Sequence, residues 1–326
     1  MPADPRPPRA RLLPALAGTA AGLAAAALIN AARTRAAEAA HPPQGDFVEA
    51  GGIRLHYLDR GPRDAATPPI VLIHGNGSLT DDFVIAGVVD ALASRHRVVV
   101  FDRPGAGYSE RPRGRRWGPV EQAEVLVEAA AALGLQRPVV VGHSWGTLPA
   151  IVWALDHPER VSALVLASGY YFPTPRPDVV TVLPAIVPGI GDLMRHTLSP
   201  ILGRAMIPLG NRLIFSPAPT PDKWSDEFPF ELAMRPSMLR ATLADTAQMV
   251  PAAAALEPRY KDLSLPMVLL AGDGDKLVNT AHQTKRLAGL HPEARLIVLP
   301  GVGHMVQHTR PDAFVAAVET AVAMAG

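Results

Sequence analysis

Short apolar runs recur along the chain from residue 53 onward, and the pattern inside each run predicts a β-strand. The run Ile53–Leu58 alternates apolar with polar side chains, as a strand with one buried face does. Six later runs are apolar at every position, which is typical of parallel strands that helices cover on both faces. These runs are Ile70–Ile73, Val98–Phe101, Val139–Val141, Ala163–Ala167, Met267–Leu270 and Leu296–Leu299.

Stretches with helical spacing of apolar residues lie between several of the predicted strands. Residues Val120–Leu133 show this spacing and are followed by Gly134, a residue type that commonly ends helices; Leu148–Leu155 is a second example. Strands that alternate with helices favour a doubly wound, mostly parallel sheet. The predicted fold class is therefore α/β.

The alternation is interrupted once, between about Phe172 and Leu265. This interval is rich in Pro and Met, and its prolines predict short helices joined by loops rather than long helices. We interpret residues 172–265 as a helical cap inserted before the strand Met267–Leu270, over the carboxyl edge of the sheet. The predicted core then comprises residues 41–171 and 266–326, and residues 1–40 form a separate N-terminal segment.

The composition is that of a globular protein and excludes several kinds of function. Hydrophobic residues make up 48% of the 326 residues and charged residues 19%, so one large core with an inserted subdomain can be buried. The formal net charge of +1 gives no general electrostatic reason to bind nucleic acid or an acidic surface. The chain has no cysteine, which excludes disulfides, thiolate zinc sites and a cysteine nucleophile.

The N-terminal segment contains an uncharged apolar run, residues 12–29, with arginines on both sides. The arginines are Arg6, Arg9 and Arg11 before the run and Arg33 and Arg35 after it. A helix of this length is about long enough to cross a hydrocarbon core. The leading arginines favour an inside N-terminus, so we expect a membrane anchor with the rest of the chain outside the cytoplasm.

Two other interpretations of the N-terminal segment stay open. It could be a cleaved signal peptide of a secreted or periplasmic protein, since residues 37–39, Ala-Glu-Ala, form an A-x-A-like cleavage site. It could also be an alanine-rich helix of a cytoplasmic protein, soluble or lying on a surface.

The motif that points most directly to chemistry is Gly-His-Ser-Trp-Gly at residues 142–146. It follows a predicted strand and precedes a predicted helix, so Ser144 is expected on a sharp turn at the end of the sheet. The flanking glycines permit close approach of neighbouring backbone. The backbone N–H of Trp145, at the helix N-terminus, is then placed to face a developing oxyanion. We predict Ser144 as a catalytic nucleophile.

Three further segments end predicted strands with polar residues. His-Gly-Asn-Gly at residues 74–77 offers the backbone N–H of Asn76 as a second oxyanion donor. The run Met267–Leu270 leads into a loop that carries Asp273 and Asp275. The run Leu296–Leu299 leads to Gly-Val-Gly-His at residues 301–304, and His304 is the histidine best placed to reach Ser144. The nearby His308 is expected at the surface.

Together these features resemble the α/β-hydrolase superfamily, from about Phe47 to the C-terminus. The Asp-Arg-Pro-Gly-Ala-Gly-Tyr-Ser stretch at residues 102–109 also resembles that family, in which we take it to be architectural. The family order of nucleophile, acid and histidine implies a triad of Ser144, Asp275 and His304. The acid of this family usually lies three residues after the glycine that ends its strand, which favours Asp275 and leaves Asp273 as the alternative.

The resemblance implies an acyl-enzyme mechanism. His304 would take the proton of Ser144 as the hydroxyl attacks a carbonyl carbon, with Asp275 orienting the imidazole. The N–H groups of Asn76 and Trp145 would stabilise the oxyanion, each by about 3 kcal/mol. This chemistry needs no metal and no organic cofactor. The expected partner is a small-molecule substrate, and an ester of a small or medium hydrophobic acid is the favoured one.

Other activities of the same superfamily are weighed against this interpretation. An Asn and Trp pair like Asn76 and Trp145 resembles the halide-binding pair of haloalkane dehalogenases, but those enzymes use an aspartate nucleophile. Ser144 therefore argues against a dehalogenase. Perhydrolases and C–C bond hydrolases share the whole triad and stay open, as does a non-catalytic member that only binds a ligand.

The cap residues could form an apolar pocket for such a substrate, although Met and aromatic side chains in such a segment also serve ordinary packing. The candidate pocket residues are Met194, Met206, Trp224, Phe228, Phe230, Met234, Met238 and Met249.

Overall fold

The structure is a computed structural model that describes residues 8–326, without the side chains of residues 8–15, 177, 178, 180 and 181. Arg6 therefore lies outside the described residues, as do the side chains of Arg9 and Arg11. The strands are β1 (Asp46–Ala50), β2 (Ile53–Arg60), β3 (Ile70–Ile73), β4 (Val98–Phe101), β5 (Val139–His143), β6 (Ala163–Ala167), β7 (Met267–Gly272) and β8 (Arg295–Leu299).

The α-helices of the described chain fall into three groups along the sequence. The first is α1 (Pro8–Ala40). Those between β3 and β6 are α2 (Asp81–Ile85), α3 (Val88–Ala93), α4 (Pro119–Ala132) and α5 (Thr147–Asp156). The rest are α6 (Pro177–Ile186), α7 (Ile190–His196), α8 (Leu198–Phe215), α9 (Asp222–Glu227), α10 (Phe230–Ala233), α11 (Pro236–Leu256), α12 (Thr284–Leu290), α13 (Val306–Thr309) and α14 (Pro311–Ala325).

All eight strands form one sheet in the order β1-β2-β4-β3-β5-β6-β7-β8. The pairs β1–β2 and β2–β4 are antiparallel, and the strands from β4 to β8 are parallel. Every predicted strand is present, and every residue of β3 to β7 is buried, as their continuous apolar runs require. The short edge strand β1 is additional; its sequence alternates too weakly to predict it.

Helices cover both faces of the sheet, which confirms the doubly wound prediction. Successive strand residues point to opposite faces, so Val140 contributes to one hydrophobic core and Val141 to the other. The first core includes α4, α5 and α12, and the second includes α2, α3 and α14. The chain after β3 adds β4 on one side, and later strands extend the sheet on the other. This switch point opens a crevice at the carboxyl ends of β3 and β5.

Between β6 and β7 the chain leaves the sheet and forms α6 to α11. The expectation of short helices is wrong for two of them, because α8 has 18 residues and α11 has 21. Pro251 lies inside α11 and removes one backbone donor, at a local cost of about 3 kcal/mol. The helix continues because its buried face packs on the protein core along most of its length, and such packing outweighs local propensity.

The C-terminal part of helix α1 is bound to the rest of the protein. The Asn30 amide donates to the carbonyl groups of His196 and Thr197, and Glu38 pairs with Arg235 at 3.0 Å. Most residues from 16 to 29 are exposed. Among the residues that the structure describes, the segment Leu16–Ala40 is the one helix long and apolar enough to cross a membrane.

Candidate active site

Ser144 lies at the sharp turn between β5 and α5. Its φ is 53°, in the left-handed region where a residue with a side chain is strained. The flanking glycines make the turn possible. A Cβ at position 142 would lie 2.7 Å from the Gly146 carbonyl oxygen, and one at position 146 would lie 2.6 Å from the His74 carbonyl oxygen. The serine therefore has the strand–turn–helix setting that the sequence predicts.

Three side chains from different strand ends form a continuous hydrogen-bonded chain. His304 Nε2 lies 2.9 Å from Ser144 Oγ, and His304 Nδ1 lies 2.7 Å from Asp275 Oδ2. Asp275 follows β7, and His304 follows β8. In this geometry the hydroxyl can pass its proton to Nε2 while the carboxylate holds Nδ1–H.

The two candidate acids have different neighbours. The second oxygen of Asp275 accepts the backbone N–H groups of Leu277 and Val278, both at 2.8 Å, so the carboxylate is fixed on both sides. Asp273 is exposed and accepts the backbone N–H of Gly301 at 2.7 Å. Asp275 is thus the acid in contact with His304, and Asp273 fastens the loop that carries the histidine.

The loop after β3 lies directly beside Ser144. A Cβ at position 75 would be 3.1 Å from Ser144 Cβ, so the backbone of Gly75 and Asn76 borders the serine. The Asn76 side chain donates to the Thr242 carbonyl at 3.1 Å and to Thr246 Oγ1 at 2.8 Å. Helix α11 therefore fixes this loop through the Asn76 amide.

His74 also fixes the loop after β3, through hydrogen bonds of both ring nitrogens. Its Nδ1 lies 2.8 Å from the Gly75 carbonyl oxygen, and its Nε2 accepts the Arg103 backbone N–H at 3.0 Å. Burial, with the charge of Arg103 adding to it, lowers the pKa of His74 to about 4. His74 is therefore neutral at pH 7, with its proton on Nδ1.

A buried ionic network connects α11 to this loop. Asp245 pairs with Arg103 at 2.7 Å and with Arg111 at 2.8 Å. Arg103 also donates to the Gly75 carbonyl at 2.9 Å and stacks over the Trp145 ring at 4.4 Å. The Trp145 indole N–H donates to the Asp245 backbone carbonyl at 3.1 Å. All three charged side chains are buried, so each depends on the others for compensation.

Sequence reasoning missed this network. Asp245 is the sole acidic residue of α11 and lies four residues from the apolar Ala241 and Met249, and a carboxylate on the apolar side of a helix is a usable signal of a buried partner. Arg103 lies in the stretch interpreted as architectural, but its partner 142 residues away along the chain could not be inferred from local sequence.

A second buried acid–histidine pair lies behind the triad. His308 is 2.7 Å from Asp82, which also accepts hydrogen bonds from Ser78 and Gln307. Burial opposes the charged form of Asp82, but the hydrogen bond and charge of His308 hold its pKa below the usual range. The expectation that His308 is a surface residue is wrong, because α13 turns its side chain inward onto this carboxylate.

His143 lies between this pair and the triad. Its Nε2 is 3.2 Å from the His304 carbonyl oxygen, and the two imidazole rings are 5.2 Å apart. Burial, followed by the charge of His304, lowers the pKa of His143 to about 4. A neutral His143 donates to the backbone of His304 and does not compete with it for a proton at pH 7.

A cavity of about 300 Å³ opens above Ser144 and His304. Five of the eight candidate cap residues line it, and Met194, Met206 and Met238 do not. Those five are Trp224, Phe228, Phe230, Met234 and Met249. Within the described chain, no group of three or more His, Asp or Glu side chains is arranged to hold a metal ion.

Comparison with known proteins gives relatives of several activities. Haloalkane dehalogenase 2 of Mycobacterium bovis is 27% identical over 287 residues, which cover 85% of this chain and 94% of that protein. The 2-hydroxymuconate semialdehyde hydrolase of Pseudomonas putida is 34% identical over 134 residues, covering 40% of this chain and 46% of that protein.

Solved structures share the fold at low identity. An α/β-hydrolase fold protein from Burkholderia ambifaria has a TM-score of 0.71 and 23% identity, covering 84% of this chain and 96% of its own. A membrane phospholipase A has a TM-score of 0.66 and 23% identity, covering 96% and 97%. The family model of the alpha/beta hydrolase fold matches residues 68–311, and the chain belongs to this family of hydrolases.

Proposed function

We propose that the protein is a serine hydrolase that cleaves a carboxylic ester of a small or medium hydrophobic acid. The hydrogen-bonded chain from Asp275 through His304 to Ser144 is the observation that carries this proposal. Ser144 would be the nucleophile, His304 the general base and acid, and Asp275 the residue that positions the imidazole.

The reaction would proceed in two halves. Ser144 Oγ attacks the ester carbonyl carbon while His304 Nε2 takes its proton, and the C–O bond to the alcohol breaks as His304 returns that proton to the leaving oxygen. A water molecule, deprotonated by His304, then attacks the acyl-enzyme. The acid is released, and Ser144 regains its proton.

The oxyanion of each tetrahedral intermediate would be bound by backbone N–H groups of Asn76 and Trp145. Trp145 follows the nucleophile at the start of a helical turn, and Asn76 lies on the loop next to Ser144. Donors of this kind are each worth about 3 kcal/mol of transition-state stabilisation. Because α11 fixes the Asn76 side chain, this donor would be preorganised before substrate binds.

The cavity supports a hydrophobic acyl or alcohol group. Its walls are mostly apolar, and its volume of about 300 Å³ is at the small end of the range for small-molecule sites. We propose that residues 172–265 act as the cap that closes this cavity and selects substrates by size.

Dehalogenation is disfavoured despite the similarity to haloalkane dehalogenase 2. Attack by Ser144 on an alkyl carbon would leave an ether that water does not cleave. In addition, the Trp145 indole N–H is engaged by the Asp245 carbonyl, and the Asn76 amide is engaged by α11. Neither side chain is free to hold a halide.

Hydrolysis of a C–C bond next to a carbonyl is the second candidate. The partial similarity to 2-hydroxymuconate semialdehyde hydrolase favours it, and the same triad serves both reactions. Perhydrolysis would use the same acyl-enzyme with peroxide in place of water.

We further propose that the apolar part of α1 anchors the protein in a membrane, with the catalytic domain outside the cytoplasm. Its length, its composition and its exposure support this proposal. The leading arginines give the orientation.

The test is hydrolysis of p-nitrophenyl esters of increasing acyl length by the full-length protein in mild detergent. We expect turnover with an optimum at short or medium chains, and a loss of about 10⁶-fold in kcat for Ser144→Ala with unchanged circular dichroism. A folded wild type that is inert on all esters would refute the esterase proposal. Assays with a C–C bond substrate and with peroxide would then separate the second candidates from a ligand-binding protein.

Asp275→Asn and Asp273→Asn provide a matched pair for the acid. The first should reduce kcat by about 10⁴-fold, because Asn favours the wrong imidazole tautomer. The second changes a carboxylate that does not contact His304, keeps an oxygen that can accept the Gly301 N–H, and should reduce kcat far less. Equal losses in the two variants would argue against Asp275 as the positioning acid.

A further inference from the structure

The outward side of α7 and α8 is apolar. We define the outer cap face by Ile190, Leu193, Leu198, Leu202, Met206 and Leu209, each between 46% and 59% exposed. The last four follow helical spacing and lie on one side of α8. Large side chains so exposed and so close together mark an interaction surface on soluble proteins.

The opposite side of α8 faces the cavity above Ser144. Its residues in the cavity wall are Ile207, Asn211 and Ile214. Helix α8 is therefore apolar both toward the cavity and toward the exterior. A helix with two apolar sides normally has both of them covered by protein or lipid, and no described part of the chain covers the outer cap face.

A strongly cationic cavity of about 460 Å³ lies beside this face. Its lining includes Ile186 and Pro188, which immediately precede α7. Six arginines contribute to it, Arg111, Arg113, Arg115, Arg116, Arg195 and Arg240, and Asp192 is the one acidic residue among its lining residues. Asp192 pairs with Arg113 and Arg195, and two carboxylates outside the lining pair with Arg111 and Arg116, so three carboxylates adjoin six arginines and the cavity keeps a net positive charge.

The arginines of this cavity affect one another. Burial and then the charges of Arg113, Arg111 and Arg195 lower the pKa of the Arg240 guanidinium from its ordinary value. An anion in the cavity would relieve this repulsion. A second copy of the chain docked about a twofold axis would instead bring two cationic rims together.

Helix α1 indicates which anionic surface is near. Its uncharged run, residues 12–29, spans about 27 Å as a helix, close to the thickness of a hydrocarbon core. Directly after this run, Asn30 binds the carbonyl groups of His196 and Thr197, at the junction of α7 and α8. The point where α1 would leave a bilayer is thus the point where the outer cap face begins.

We propose that the outer cap face docks on the surface of an anionic phospholipid bilayer, with the arginine cavity facing the headgroup phosphates. The exposed side chains would enter the interfacial region of the leaflet that α1 leaves, as amphipathic helices do. This inference rests on the membrane attachment proposed above. The experiment therefore measures the attachment of α1 and the docking of the outer cap face separately.

The absence of cysteine from the chain makes site-specific labelling direct. Single variants Leu28→Cys, Leu209→Cys and Leu290→Cys of the full-length protein would carry an environment-sensitive nitrobenzoxadiazole label. Leu290 is the matched control, since it is 50% exposed against 58% for Leu209. It ends α12 and leads into β8, so it lies at the amino ends of the strands, away from the cavity above Ser144. Each protein is reconstituted in vesicles of equal parts phosphatidylcholine and phosphatidylglycerol that contain a nitroxide-labelled lipid.

Quenching of the labels at positions 28 and 209, but not at 290, is the result we expect. Quenching at position 28 alone would overturn docking and leave the anchor in place, whereas no quenching at position 28 would remove the attachment and docking together. A label at 209 that shifts to the blue without being quenched would mean that a second copy of the chain covers the face. Quenching at all three positions would mean unspecific adsorption and would also overturn the proposal.

The arginine cavity is tested in the same assay. Arg115→Gln/Arg116→Gln should lower the ratio of docked to undocked protein on the order of tenfold in anionic vesicles, because each arginine near such a surface contributes about a fivefold preference. In pure phosphatidylcholine the double variant should match its parent. An equal response in both lipids would overturn the role of the arginines.

Discussion

Two long helices of the segment between β6 and β7, α11 and α8, border the active site, and the protein holds them by different means. Helix α11 fixes the loop after β3 through the buried Asp245 network and through the Asn76 amide. Helix α8 contacts the histidine loop through backbone: the His304 N–H donates to the Ile214 carbonyl at 3.0 Å. A Cβ on Gly303 would lie 2.8 Å from the Phe215 carbonyl oxygen.

The difference assigns the two helices different tasks. The buried charges of the α11 network stabilise the protein only when every partner is present. Such a network suits a helix that would hold the proposed oxyanion donors at fixed positions. The C-terminal end of helix α8 contacts the histidine loop, and its middle presents apolar side chains to both the cavity and the exterior. We expect α8 to be the helix through which a membrane at the outer cap face would affect the cavity.

Asp245→Asn should have the largest effect on stability. It leaves Arg103 and Arg111 buried without their counter-ion, which should cost about 3–5 kcal/mol in the free energy of unfolding. Because Arg103 also holds the Gly75 carbonyl, kcat on esters should fall together with stability. Denaturant unfolding followed by circular dichroism measures the first effect, and ester hydrolysis well below the transition measures the second.

Asp192→Asn is the matched control for that change. Asp192 also bridges two arginines, Arg113 and Arg195, but solvent reaches Asp192 and Arg113 and screens their charges, and the buried Arg195 keeps the Ala185 carbonyl as a partner. The unfolding transition of this variant should stay close to that of the parent protein. If both variants unfolded at the same denaturant concentration, the contrast between a buried network and a solvated one would be lost.

Acid should destabilise the protein through its neutral buried histidines. The folded-state pKa of His74 is about 4, below the ordinary value of about 6.5, so between these values the unfolded chain binds a proton that the folded chain excludes. Stability is therefore fully present above pH 6.5 and is lost as the pH falls toward 4. The slope should reach about 1.4 kcal/mol per pH unit, and His143 should add a similar one.

Replacing each histidine should show how much each one contributes to the loss of stability in acid. His74→Asn keeps a donor toward the Gly75 carbonyl, and His143→Gln keeps one toward the His304 carbonyl. We expect each variant to be less stable than the parent protein at pH 7. The pH dependence of its free energy of unfolding, measured at pH 7, 6 and 5, should be smaller than that of the parent by the contribution of one histidine. An unchanged slope in both would mean that other groups set the acid limit.

The sequence predicts those parts of the fold whose signals are local. The central strands can be predicted because parallel strands buried on both faces must be apolar throughout. The site residues are visible for a related reason: Ser144, Asp275 and His304 each follow such a strand, and carboxyl ends of parallel strands meet at one edge of the sheet. The three side chains form a hydrogen-bonded chain, and their catalytic roles stay a proposal.

Features that depend on distant partners could not be predicted in this way. The inward position of His308 is set by Asp82, far away along the chain. The length of α11 depends on packing that outweighs Pro251, and the task of Asp245 depends on two arginines of the core. In each of these cases the local sequence favours another outcome, and a tertiary contact decides.

The smallest effect on stability should come from a substitution on the outer side of α8. A substitution on the buried side of α11 gives the contrast between the two helices. Leu202 on α8 is 59% exposed, and Leu239 on α11 is 7% exposed. Leu239→Ala should cost about 2–5 kcal/mol because it empties buried space, whereas Leu202→Ala should change the free energy of unfolding by less than about 0.5 kcal/mol. Thermal midpoints of the two full-length variants in the same detergent measure the difference. A large loss for Leu202→Ala would mean that the outer cap face is needed for folding, and its apolar character would then require no external partner.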